Sequence, residues 1–158
     1  MKAPAEPRWL GPAALGGRFL VGAVFILSGF SKAVSPPQEF AAAIEAYQVM
    51  PPELIPAAAR ALPWAELVLG AFLLAGYWRR ISALGLATLL FAFLWALVTA
   101  QIRGLEIGEC GCYGRFGPKL KPWQATLSDL AFLALALSAW RERSGPWTLD
   151  RWIDGSPS

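Results

Sequence analysis

The chain has 158 residues, 56% hydrophobic and 16% charged, with eight Trp, nine Phe and a formal net charge of +3. A soluble domain carries about 25% charged residues, so the balance points to lipid, and no basic cluster forms a nucleic-acid footprint. The sequence holds no histidine and only two cysteines, which excludes His-ligated metals or haem, Ser-His or Cys-His catalysis, and a four-thiolate metal site within one chain.

Four apolar segments approach the roughly 20 residues that cross a bilayer. The first runs from about Ala13 to Val34. Its end, Lys32-Ala33-Val34-Ser35, puts a lysine where a signal peptide would lead to its cleavage site, so it reads as a retained anchor. Lys32 lies near its outer end, behind Ser28, Gly29 and Ser31, and Arg18 lies near its inner end. Residues 35–56 form a loop whose middle, QEFAAAIEAYQV, places Phe40, Ile44 and Tyr47 on one helical face. That stretch is too short and polar to span, and fits an interfacial helix or a cap on the bundle.

The second span runs from about Ala57 to Trp78, with Glu66 near its outer end and Gly70 one turn below on the same face. Only Trp78-Arg79-Arg80 then separates it from the third span, Ile81 to Ile102, so the two should form a tight antiparallel pair. Residues 103–122 form the second outer loop. The fourth span runs from about Trp123 to Trp140, with Asp129 about two turns in from the outer side. The tail GPWTLDRWIDGSPS carries Trp147 and Trp152 among charges and reads as an interfacial anchor.

The expected fold is therefore all-α: a single integral membrane four-helix bundle with short interfacial helices. An even number of spans puts both termini on one side, with Lys2, Arg8, Arg79, Arg80, Arg141, Arg143 and Arg151. The opposite side has Lys32, Arg60, Arg103, Arg115, Lys119 and Lys121. This bias favours cytoplasmic termini and extracytoplasmic loops at 35–56 and 103–122. Charges inside spans are costly and usually functional. Lys32 either snorkels to the headgroups or pairs with Glu66. Asp129 is either a helix-packing hydrogen bonder or a functional acid.

Both cysteines lie in E-C-G-C-Y-G, residues 109–114. Four readings are open for Cys110 and Cys112. A redox-active dithiol is the first: glycine allows the turn that brings the two within bonding range, and a strained bond across so small a ring is easily reduced. Arg115, Lys119, Lys121 and the start of span four would lower a thiol pKa, while Glu109 opposes this for Cys110. The second is a structural staple, weak because a bridge across one residue removes little chain entropy. The third is a two-thiolate Cu(I) site, with no Met or His nearby to support it. The fourth is a pair of inert loop thiols.

The chain resembles the MauE-like branch of the DoxX-like membrane proteins. The resemblance rests on Arg18 and S-G-F-S-K (28–32), Phe40 and Tyr47, P-W-A-E-L-V-L-G (63–70) and C-G-C-Y-G (110–114). In that family the last usually reads C-G-C-F-G, so Tyr113 is a mild departure. The resemblance covers roughly Arg18 to Trp140 and implies a four-helix membrane bundle linked to redox chemistry. The family is associated with maturation of methylamine dehydrogenase, whose small subunit is rich in disulfides, alongside a thioredoxin-like periplasmic protein. Quinone-linked disulfide-forming enzymes share the four-helix arrangement but use a second cysteine pair, which this chain lacks.

The expectation is thiol–disulfide exchange by Cys110 and Cys112 with an extracytoplasmic thioredoxin-fold partner, from a bacterial inner membrane. Lys32 and Glu66 would shape a polar mouth beneath the pair, joined by Asp129 and Arg115. As an oxidant the pair would pass electrons to a quinone between the helices; as a reductant it would draw them from elsewhere. The alternatives are a non-catalytic scaffold or chaperone for a redox complex, and a transporter of a small sulfur compound or metal ion.

Overall fold

The computed structural model describes residues 10–105 and 120–141, which are helical throughout apart from short turns. Its elements are α1 (Leu10–Val34), α2 (Pro37–Tyr47), a 3-10 turn at Pro52–Leu54, α3 (Ile55–Ala75), α4 (Arg79–Ile102) and α5 (Pro122–Arg141). The long helices close a ring in which α1 packs on α3, α3 on α4, α4 on α5 and α5 on α1. The short α2 leans mainly on α3 and also touches α4 and α1. It thereby covers the end of the bundle where α1 and α4 finish and α3 and α5 begin.

The surface is inverted relative to a soluble protein. Leu27, Phe91 and Ile102 are 68%, 62% and 80% exposed, with Trp64, Trp95 and Leu127 also outward. Arg18, Ser28, Ser31, Lys32, Glu66, Ser82 and Asp129 are all buried. Water would penalise the first set and lipid the second, so the arrangement is that of a bundle in a bilayer. Segments at Leu15–Val34, Pro52–Ala75 and Arg80–Ile102 are each long and apolar enough to cross a membrane. α5 matches them in length with 20 residues, but Gln124, Thr126, Ser128 and Asp129 make its first half more polar.

The α1–α3 contact is made by glycine. A Cβ on Gly29 would lie 2.7 Å from the Pro63 carbonyl oxygen, and one on Gly70 3.0 Å from the Gly22 carbonyl oxygen. Without a large hydrophobic drive between helices in lipid, such close backbone approach supplies the packing energy. Val21, Phe25, Leu73, Leu86, Leu90 and Ala136 fill the centre.

The turn between α3 and α4 differs from the expected Trp78-Arg79-Arg80 break. α3 stops at Ala75, Gly76 caps it at φ 70°, and Trp78 enters α4 at φ 45°. Glycine reaches that left-handed conformation without a Cβ penalty, so the helix ends there. Arg79 and Arg80 therefore belong to the first turn of α4. Tyr77 stacks on Trp78 with ring centroids 5.7 Å apart.

At the opposite end, Pro36 and Pro37 start α2, and Gln48 ends it at φ 50° with its N–H donating to the Glu45 carbonyl. Arg103 donates to the Gln48 carbonyl at 3.1 Å and to its Oε1 at 2.9 Å, tying the end of α2 to the end of α4. Ile44 and Tyr47 are buried and Phe40 is half-buried, the expected face of this helix.

Candidate functional site

Under α2, side chains from all five helices converge. Lys32 and Glu66 form an ion pair with Nζ 2.6 Å from Oε1, and each side chain is 1% exposed. Lys32 does not snorkel. Its ammonium lies 4.9 Å from the Phe40 ring centroid and 5.2 Å from that of Phe93, so α2 and α4 close over it with aromatic faces that favour a cation. Ser28, one turn before Lys32 on α1, donates its hydroxyl to Glu66 Oε2 at 3.0 Å. Both oxygens of Glu66 are thus engaged.

The local sequence explains the meeting. Ser28 and Lys32 are four residues apart and share a helix face. Gly29 beside them lets α3 approach until Pro63, Glu66 and Leu67 touch α1. The glycine contact and the buried ion pair are one construction, because only a close crossing brings two charged side chains to bonding distance.

Asp129 enters from α5. It is 4% exposed, and among the described residues its buried Oδ2 has no hydrogen-bond partner. It lies within electrostatic reach of both Lys32 and Glu66. Ser28, Glu66, Asp129, Phe25, Phe93 and Phe132 line a small cavity between α1, α3, α4 and α5, with a volume of about 20 Å³. That is room for about one water molecule. Tyr47 of α2 stands above, its phenol pushed up to about 12 by burial and by the Asp129 charge.

Tyr47 also belongs to an apolar cluster with Leu97, Ala100 and Ala125, against which Leu105 and Leu120 pack. Cys110, Cys112 and Arg115, the expected thiol site and its basic neighbour, lie outside the described residues, as do both terminal segments. Among the described residues, no group of three His, Cys, Asp or Glu could hold a metal ion.

Compared with known protein families, residues 10–141 match the family described as methylamine utilisation protein MauE. The chain belongs to the MauE family. Comparison with curated proteins and with solved structures gives no match. This MauE-family chain is thus a multi-pass helical membrane protein.

The expected trio Lys32, Glu66 and Asp129 does come together in it. Sequence reasoning missed that Ser28 is the second partner of Glu66, although its one-turn spacing from Lys32 was visible. It also missed Phe93, which no pattern distinguishes within the uniformly apolar α4.

Proposed function

We propose that this MauE-family chain is a thiol–disulfide exchange protein of a bacterial inner membrane, with Cys110 and Cys112 as the exchanging pair. Its termini are cytoplasmic, its thiol segment faces outward, and its partner is an extracytoplasmic thioredoxin-fold protein. One observation carries this reading: both thiols of the chain stand in one segment, a single glycine apart. Support comes from the flanks of that segment. Leu105 and Leu120 pack in the same cluster on Tyr47, so both ends of the segment are held at the bundle end that carries the polar cluster. The family's name adds a context, methylamine utilisation.

The exchange balances as follows. A partner thiolate attacks one sulfur of the Cys110–Cys112 disulfide, a mixed disulfide forms, and the other cysteine leaves as thiolate. The partner's second thiolate then attacks its own sulfur in the mixed bond. The partner leaves oxidised and the chain keeps a dithiol, two electrons and two protons richer. Repeated oxidation of partners requires a two-electron acceptor, for which a membrane quinone is the fitting class.

Among the described residues, helices α1, α3 and α5 themselves supply a buried polar cluster of Ser28, Lys32, Glu66 and Asp129. That favours a second reading, a non-catalytic scaffold for a redox complex. A chain with both Cys110→Ser and Cys112→Ser separates the two. Exchange predicts loss of disulfide maturation in cells at normal membrane abundance, and a scaffold predicts full maturation.

A further inference from the structure

Among the described residues, the charges beneath α2 do not balance. Lys32 supplies one positive charge, and Glu66 consumes it through the 2.6 Å contact. Glu66 Oε2 is occupied by the Ser28 hydroxyl. Asp129 adds a second carboxyl, buried at 4% exposure, with Oδ2 lacking any hydrogen-bond partner. An ionised carboxylate left unpaired in such a place is expensive, and a proton removes both the charge and the missing bond.

We propose that the cavity between α1, α3, α4 and α5 is a proton-binding site, in which Asp129 Oδ2 carries one exchangeable proton and donates it to a single cavity water. Among the described residues, the surroundings leave no other carrier. From α1 the site is faced by Ser28 and Lys32, from α2 by Tyr47, and from α3 by Glu66. From α4 come only Leu90 and Phe93, and from α5, beside Asp129, Phe132. Lys32 is committed to Glu66, and Tyr47 stays a neutral phenol. The cavity, at about 20 Å³, admits one water and nothing larger. With Lys32 already present, a proton fits this site better than a metal cation. A buried acid that trades its proton with one water is the element from which membrane proton relays are built. The proposal does not rest on the thiol chemistry.

Infrared spectroscopy of the purified full chain in lipid nanodiscs tests it. The measurement is made at neutral pH, where exposed carboxyls are ionised, in H₂O and again in D₂O. The wild-type chain should show one protonated carboxyl band that shifts in D₂O. Asp129→Asn should lose the band. Asp129→Glu keeps the group and should move the band to a new position, which covers the case in which the asparagine variant fails to fold. The doubly Cys→Ser chain should keep it unchanged, so failure of the thiol reading leaves this outcome untouched. Absence of a protonated carboxyl in the wild type would overturn the proposal. So would a band unaltered in both Asp129 variants.

Discussion

Replacing Lys32 with methionine removes the only positive charge among the described residues that faces the cluster, while keeping most of the side-chain volume. The ammonium is 2.6 Å from Glu66 Oε1, with both side chains 1% exposed, so Glu66 is left as a buried charge with only the Ser28 hydroxyl for support. Breaking a buried pair from one side costs about 3–5 kcal/mol. Loss of the contacts to Phe40 and Phe93 contributes about 0.5–2 kcal/mol within that figure. Glu66→Gln should fall in a similar range, because it leaves Lys32 unpaired. In the double variant Lys32→Met/Glu66→Gln neither charge remains, so its cost should be smaller than the sum of the singles by about 3 kcal/mol. Reversible unfolding in mixed micelles with rising dodecyl sulfate, followed by helical circular dichroism, measures all three. Costs that add to within about 0.5 kcal/mol would refute the reasoning, because independent sites behave that way.

Gly29→Ala should cost about 1–3 kcal/mol, since its Cβ would meet the Pro63 carbonyl oxygen at 2.7 Å. Gly16→Ala, with nothing within 4 Å, should be neutral or stabilising in the same unfolding assay. The Tyr47 phenol, raised from 10.0 to about 12, favours the folded state fully below pH about 10 and progressively less as pH rises from about 10 to 12. Tyr47→Phe should abolish that part of the alkaline loss of stability. Impermeant maleimide applied to intact, reduced cells should label Cys110 and Cys112; labelling only after the membrane is broken would reverse the topology.

Helices α1, α3 and α4 were legible because each is an apolar run of bilayer length, and α5 by its similar length despite a more polar first half, with boundaries off by a few residues. The start of α1, placed at Ala13 and found at Leu10, and the end of α3, placed at Trp78 and found at Ala75, were off by equal amounts. The apolar reading carried on through Tyr77 and Trp78, whereas Gly76 in the left-handed region ends the helix. The face of α2 was readable from Phe40, Ile44 and Tyr47, because a 3.6-residue period survives in a short helix. The convergence of Lys32 and Glu66 was readable because opposite charges at one depth in lipid seek each other. The glycine crossing that brings them to contact, and the cover provided by Phe93, depend on the rotation of helices about their axes. A nearly all-apolar α4 does not encode that rotation.

The proposed exchange runs through the C-G-C pair. The most direct measurement is capture of the mixed disulfide by the single-cysteine chains Cys110→Ser and Cys112→Ser. Each is first converted to its mixed disulfide with thionitrobenzoate and then tested against an extracytoplasmic thioredoxin-fold protein that lacks its resolving cysteine, so that the partner thiolate forms the adduct and thionitrobenzoate leaves. In sequence Cys112 is the nearer of the two to the positive N-terminus of α5, so it should be the better leaving thiolate, which makes Cys110 the attacked sulfur. Exchange predicts an adduct through Cys110 in the Cys112→Ser chain, seen on a non-reducing gel, identified by mass spectrometry and released by reductant. Failure of both single-cysteine chains to capture any thioredoxin-fold protein, with the doubly substituted chain still functional in cells, would contradict it.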